Sequence, residues 1–179
     1  MRNLLLTLTV VMALCLTANM ALATPADDTA TASVTVTVDG IMEWSGNFST
    51  IALSPITTQA GAPTASQSTT LYTNGDVHIS ANITTAAQLK LGTDPNQTLV
   101  TSYKLTDDGD GTATTGGTDQ TVYTGYATFL NSAYVITHKA GDGADMITLW
   151  AKAENPSGEV ADAGDYSATQ TLTASWGNP

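Results

Sequence analysis

The stretch that decides the fold is "DAGDYSATQTLTASW", residues 162–176. From Tyr166 onward every second residue is apolar, with Gln170 as the one interruption, and the residues between them are serines and threonines. Because successive side chains of a β-strand point to opposite faces, this pattern predicts a strand with one core-facing and one solvated face.

The same alternation recurs along the chain. Val77–Ile83 predicts a strand with Ile83 facing inward, and Ile147–Ala153 predicts another. Further strands are predicted near residues 69–73, 98–106, 121–130 and 133–139, separated by clusters of Gly, Pro, Asp and Ser such as residues 54–68 and 92–97. Many short strands joined by such turns are typical of an antiparallel sandwich, so we predict one sandwich domain over residues 39–179.

Asp162, Gly164 and Tyr166 form a D-x-G-x-Y pattern that resembles the tyrosine corner of immunoglobulin-like sandwiches. The resemblance implies that the Tyr166 hydroxyl hydrogen-bonds upstream backbone and fixes how the strand enters the sheet. Immunoglobulin domains carry a cysteine two residues after the tyrosine, where this chain has Ala168. The predicted fold class is therefore an all-β, antiparallel immunoglobulin-like β-sandwich without the inter-sheet disulfide, following a cleaved signal peptide.

Residues 164–173 also resemble the closing strand of pilin-like secreted bacterial proteins of the spore coat protein U type. In an immunoglobulin-like sandwich the tyrosine corner begins the penultimate strand, and the printed sequence supplies no strand after Trp176. We therefore expect an open sheet edge, and an unpaired edge recruits a strand from elsewhere. The resemblance implies assembly at a surface by strand donation between subunits.

Residues 1–23 predict a secretory signal peptide. Arg2 is followed by the apolar stretch Leu4–Leu16 and by the small-residue cleavage pattern Ala21–Ala23. The prediction is a protein that is secreted or held at the cell surface, with no membrane insertion after cleavage. The single cysteine of the chain, Cys15, lies within this leader.

Residues 24–38 follow as an N-terminal strand whose alternate side chains include Val34, Val36 and Val38. Two interpretations stand. In the first it is the domain's own first strand, because Asp39-Gly40 is a strong hairpin signal. However, a two-residue turn would pair Val36 with Glu43, which is a poor register unless a bulge follows. In the second, Asp39-Gly40 is a hinge and the three valines are interface residues donated to a neighbour.

Charge and residue inventory exclude several functions. The chain has 16 acidic residues against five basic ones, a net charge of −11, which disfavours nucleic acid and anionic lipid as partners. It has two histidines, His78 and His138, and no G-x-S-x-G nucleophile motif. We predict that the protein is not an enzyme, and a secreted hydrolase ranks third among the hypotheses.

An aspartate- and glycine-rich stretch at residues 107–119 is a candidate calcium site, because carboxylate oxygens on a flexible loop suit this ion. The candidate ligands are Asp107, Asp108, Asp110 and Asp119. The spacing is not that of an EF-hand, and the alternative is an acidic hairpin loop that Asp and Gly keep soluble and turned.

Two tryptophans and three sequons complete the list of candidates. Trp150 lies opposite the apolar face of its strand, so we expect it to be exposed and able to stack on a sugar or anchor a subunit contact. Trp176 shares the apolar face of its strand and is predicted to lie in the core. Glycosylation at Asn47, Asn82 and Asn96 would depend on a glycosylating host.

The leading hypothesis is a non-enzymatic, secreted structural or adhesive surface protein, a fibre or coat subunit that assembles by strand donation. Its partners would be further copies of itself or another surface protein. The alternative is a secreted carbohydrate-binding module, with or without calcium stabilisation, that uses Trp150 or the loop at residues 107–119.

Overall fold

The computed structural model describes residues 29–108, 122–138, 141 and 143–177. The chain divides into two units, residues 1–37 and residues 38–179. The predicted signal peptide, residues 1–23, lies outside the described residues. In the first unit, residues 29–37 form no strand and all of them are exposed.

Eleven strands are found in the described part of the second unit. In chain order they are β1 Met42–Trp44, β2 Thr64–Thr73, β3 Val77–Ala81, β4 Lys90–Leu91, β5 Asp94–Thr98, β6 Val100–Thr106, β7 Thr124–Gly125, β8 Tyr134–Ile136, β9 Ala144–Glu154, β10 Tyr166–Ser167 and β11 Leu172–Trp176. A single 3-10 turn, Thr85–Ala87, is capped by the Thr84 hydroxyl, which accepts from the Ala86 N–H. All strand pairs are antiparallel, and the prediction of an all-β antiparallel sandwich is confirmed.

One layer is a five-stranded sheet in the order β1-β2-β9-β6-β7. The other contains two three-stranded groups, β11-β3-β8 and β10-β4-β5. Residues 166–176 belong to both groups, because β10 pairs with β4 and β11 pairs with β3. Between them the Thr169 N–H donates to the Ala86 carbonyl at 2.8 Å. This long closing strand therefore stays paired along its length with the segment that runs from β3 to β4.

The core lies between the two layers. Val77 and Ile79 of β3 and Ile147 and Leu149 of β9 are buried, as their alternation predicts. Phe129, in the turn after β7, is fully buried beside the Tyr103 ring, with 5.6 Å between ring centroids. Complete burial of one such side chain stabilises a fold by about 1.5–3 kcal/mol, so these residues hold the sandwich together.

Several local predictions are wrong. Residues 64–68, predicted as part of a turn, lie in β2, and in the strand predicted at residues 121–130 only Thr124–Gly125 is a strand among the described residues. Ile83 is 39% exposed because the chain leaves β3 at Ala81, and the Asn82 side chain then bonds the Thr84 N–H in a turn. Residues 94–97, predicted as a turn, lie in β5, whose position at a sheet edge tolerates Pro95. Trp176 is 45% exposed because it ends the edge strand β11.

Candidate functional site

The tyrosine corner predicted at residues 162–166 is present. The Tyr166 hydroxyl donates to the Asp162 carbonyl at 3.0 Å, and desolvation, followed by the nearby Asp162 and Asp94 carboxylates, raises the pKa of this phenol. Gly164 lies so close to β4 that an added Cβ would be 2.5 Å from Leu91 Cδ1. The corner thus fixes the point at which the closing strand enters the sheet.

The closing strand has one paired and one open edge. The Asn82 N–H donates to the Thr171 carbonyl at 2.9 Å, so the odd-numbered residues of the strand turn their backbone groups toward β3. Because neighbouring residues of a strand turn their backbone groups to opposite edges, the even-numbered residues of 166–176 turn theirs away. The sheet order places no described strand at that second edge.

A second open edge lies at β1. The Ser45 N–H donates to the Thr70 carbonyl at 2.8 Å, so the odd-numbered residues of β1 face β2. The backbone groups of Met42 and Trp44 therefore point away from the sheet, where β1 is the terminal strand. Residues 45–63 then continue without a strand, and half-buried apolar side chains recur along them. These are Phe48, Ile51, Leu53 and Ile56.

Beside the open edge of the closing strand lies a groove, hereafter the open groove, that consists of three adjoining cavities between residues 160–170 and residues 48–59, which follow β1 without forming a strand. The first, of about 350 Å³, lies between residues 48–53 and residues 168–170, with Tyr103 and Leu149 in its lining. The second, of about 300 Å³, lies between residues 53–56 and residues 164–166. Each exceeds the roughly 150 Å³ that holds a benzene-sized molecule, so each can hold a valine side chain.

The third cavity, of about 460 Å³, lies between residues 55–59 and residues 161–166. Leu53 lines both the first and the second cavity, and Ile56 lines both the second and the third. The cavities therefore adjoin one another. As the first wall runs forward from residue 48 to residue 59, the second runs backward from 170 to 161, so the two walls are antiparallel.

One polar side chain in the open groove has no partner. The Nε2 and Oε1 atoms of Gln170 are buried and make no hydrogen bond within the described part of the chain. A buried, unsatisfied amide costs about 1–3 kcal/mol. By contrast, Tyr103 donates its hydroxyl to the Ala87 carbonyl at 2.7 Å, and burial raises its pKa to about 12. The Gln170 amide is thus a buried polar group in the open groove whose hydrogen bonds are not made within the described residues.

The N-terminal valines are exposed to solvent. Val34, Val36 and Val38 are 91%, 87% and 68% exposed. Alternate valines on one face of an extended segment are typical of a strand that covers a core, because an exposed apolar row of this kind gains free energy when it is buried. The alternation in the sequence indicates these three valines as candidate interface residues, whereas alternation alone does not predict the open groove.

The hairpin signal at Asp39-Gly40 is not realised. Gly40 does not have the positive φ that the tight hairpin turns favour, and the Asn74 side chain binds both the Asp39 carbonyl and the Ile41 N–H. A two-residue hairpin would also set Val36 opposite Glu43, which is exposed. Because opposite residues share a face, the valines would then point to solvent.

The structure divides the predicted calcium ligands. Asp107 is buried and accepts from the Tyr134 hydroxyl at 2.7 Å, and burial together with Asp107 raises the pKa of that phenol. Asp108 follows it, whereas Asp110 and Asp119 lie outside the described residues. No group of three or more His, Cys, Asp or Glu residues that could hold a metal occurs in the described ranges.

Trp150 differs from its predicted exposure. It is half-buried, its indole N–H donates to the Thr106 hydroxyl at 3.1 Å, and the Lys104 ammonium lies 4.9 Å from the ring centroid. Its nearest cross-strand neighbours explain this, because Lys104 is directly opposite it on β6. The indole N–H and one side of the ring, which a stacking sugar would use, are therefore engaged.

Comparison with known proteins gives little beyond this geometry. No family model matches the chain, and no curated protein matches it. A chain in a solved chaperone–tip adhesin complex of CFA/I fimbriae biogenesis superposes with a TM-score of 0.44 at 17% identity. The match covers 76% of this chain and 42% of that one, so the chain spans less than half the length of this neighbour. Within the described residues, no helix is long and apolar enough to cross a membrane.

Proposed function

We propose that this protein is a non-enzymatic subunit of a fibre or coat at the cell surface. In this proposal residues 30–38 of one copy occupy the open groove of another. The observation that carries it is the pairing of two incomplete features within one chain. One is a groove between the open edge of the closing strand and the strandless residues 48–59, and the other is a row of exposed valines with strand periodicity.

The contact would stabilise both the groove and the strand that enters it. The incoming backbone would pair with the even-numbered residues of 166–176, whose N–H and C=O groups point into the groove. Its valines would fill cavities beside Leu53 and Leu89 and lose the exposure they have in the separate chain. Strand addition of this kind takes affinity from backbone bonds and specificity from alternate side chains.

A second copy is favoured over an unrelated partner because the chain carries both complementary parts. Residues 30–38 contain no charged residue, so this segment adds nothing to the repulsion between copies that each carry a net charge of −11. The cavity walls that face the strand are mostly apolar or hydroxyl-bearing.

A peptide covering residues 29–40 tests this proposal. The chain from Thr24 onward is refolded at increasing concentration, and its mass is measured by light scattering with and without the peptide. We expect concentration-dependent oligomers or fibres that the peptide suppresses, because it occupies the groove first. A matched peptide with threonine in place of Val34, Val36 and Val38 is expected to have no effect. A chain that stays monomeric at every concentration would refute the proposal.

A further inference from the structure

We infer that an apolar collar at the root of the N-terminal segment packs against a second copy of this chain. The collar consists of Val38, Ile41 and Trp176. This inference rests on the proposed function, and it adds a domain-to-domain surface that is separate from the open groove. The partner is the copy whose open groove receives residues 30–38.

The collar is exposed in the separate chain. Val38, Ile41 and Trp176 are 68%, 46% and 45% exposed. Trp176 ends the edge strand β11, and its ring lies against Gly40, where an added Cβ would be 3.2 Å from Cζ2. Val38 and Ile41 are two residues and one residue from Gly40 in the chain, so the three side chains cluster where the segment leaves the domain. Clustered exposed apolar side chains, unlike single ones, are typical of contact surfaces.

The turn after β2 binds the root of the segment to the domain. The Asn74 side chain donates to the Asp39 carbonyl at 2.9 Å and accepts from the Ile41 N–H at 2.7 Å. The Asn74 backbone N–H donates to the Ile41 carbonyl at 3.1 Å. The Trp176 ring also lies against Gly75 of this turn, where an added Cβ would be 3.0 Å from Cζ3. The root is therefore bonded to the domain although it forms no strand.

The distance between the two domains follows from this anchoring. Val38 enters the groove of the second copy, whereas the next residue, Asp39, stays bonded to its own domain. One residue step spans about 3.8 Å, and even the four steps from Val38 to Met42 span at most about 14 Å. Stacked layers of a protein pack about 10 Å apart, so the two surfaces lie within packing distance. The exposed side chains next to Val38 are then covered by the second copy.

Hydroxyl-radical footprinting measures this contact in the chain from Thr24 onward. Labelling of Trp176 is compared at low and at high concentration by mass spectrometry, with Trp150 as the internal reference. We expect labelling of Trp176 to fall roughly five- to ten-fold on assembly, since a ring that is 45% exposed becomes buried. Labelling of Trp150 should stay constant, because its side of the sheet is outside both the collar and the open groove.

The peptide covering residues 29–40 separates this inference from the proposed function. It fills the groove of the dilute chain but brings no second domain, so labelling of Trp176 should stay at its monomer value. Loss of labelling with the peptide alone would show that the segment itself covers the ring, which contradicts a domain-to-domain contact. Association with unchanged labelling of Trp176 would refute the collar and leave the proposed function standing. A chain that does not associate would refute both.

The Ile41→Ser substitution tests the collar without changing the ring. The backbone bonds to Asn74 remain, and the Ile41 side chain is already 46% exposed, so we expect the domain to fold as before. Burial of the exposed half of this side chain predicts an association about five- to ten-fold weaker in analytical ultracentrifugation.

Val100→Ser is the matched control for this substitution. Val100 is also 46% exposed, but it lies opposite Glu154 at one end of β9, whereas the turn at Asn74 adjoins the other end, which begins at Ala144. We expect this control to associate like the native chain. Unchanged association of Ile41→Ser, or equal weakening by both substitutions, would overturn the inference.

Discussion

Replacing Val36 with threonine isolates the contribution of the donated strand. Val36 is 87% exposed in the separate chain and is expected to be buried in the open groove after assembly. Threonine keeps the shape and the strand preference of valine but places a hydroxyl in an apolar cavity. The substitution therefore changes the assembled state far more than the folded subunit.

The size of the effect follows from burial. Valine loses roughly one methyl group of transfer free energy, about 0.8 kcal/mol, and the buried hydroxyl without a partner costs about 1–3 kcal/mol. Their sum is about 2–4 kcal/mol, which corresponds to an association weaker by about thirty-fold to several hundred-fold. The dilute protein is expected to melt at an unchanged temperature, because residues 29–37 make no strand pairs in it.

Analytical ultracentrifugation over a concentration series measures the association, and circular dichroism measures the melting temperature. Thr35→Ser is the matched control, because it removes a methyl group from the opposite, solvated face and should change the association by less than about 0.5 kcal/mol. Equal weakening by both substitutions would refute the assigned face. A lower melting temperature of the Val36→Thr monomer, with unchanged association, would show that Val36 is buried in the core of the same chain and not in that of another copy.

Three further predictions concern the domain itself. Tyr166→Phe removes the bond to Asp162 O and should lower the free energy of unfolding by about 0.5–1.5 kcal/mol in a urea titration, and an unchanged midpoint would show that the corner is not stabilising. Phe129→Ala should cost about 3–5 kcal/mol, because its ring is fully buried, and a loss below about 1 kcal/mol would contradict its place in the core. The folded-state pKa of Tyr103, about 12, lies above its ordinary value of 10.0. Because the folded chain holds this proton more tightly than the unfolded chain, the free energy of unfolding is unaffected by Tyr103 below pH 10. It falls as the pH rises from 10 toward 12, by at most about 1.4 kcal/mol per pH unit. Urea titrations at pH 9 and pH 11 measure that loss, and equal midpoints would contradict the burial of this phenol.

The faces of the strands could be predicted from the sequence because they depend on local alternation. Val77 and Ile79 face the core as predicted, and the D-x-G-x-Y pattern identified the tyrosine corner, whose hydrogen bond is internal to five residues. Ile83 was placed wrongly because alternation does not show where a strand ends, and here an Asn82 turn ends it.

The open groove could not be predicted, because alternation fixes faces and leaves the order of strands undetermined. That residues 48–56 lie opposite the closing strand depends on contacts more than 100 residues apart in the chain. The burial of Trp150 could not be predicted for the same reason, because Lys104 contacts the ring only as a result of the pairing of β6 with β9. The exposed valines of the N-terminal segment were found because their pattern is local.

Amide hydrogen exchange of residues 30–38 tests the central claim most directly. The chain from Thr24 onward is labelled at high and at low concentration, and exchange is followed by mass spectrometry in peptides that cover residues 30–38 and 166–176. The account predicts that both segments are protected in the concentrated, assembled protein. On dilution, residues 30–38 lose protection together with the even-numbered amides of residues 166–176, while the odd-numbered amides stay bonded to the neighbouring strand. Protection of residues 30–38 that persists in the dilute monomer would contradict it, because the strand would then belong to its own domain.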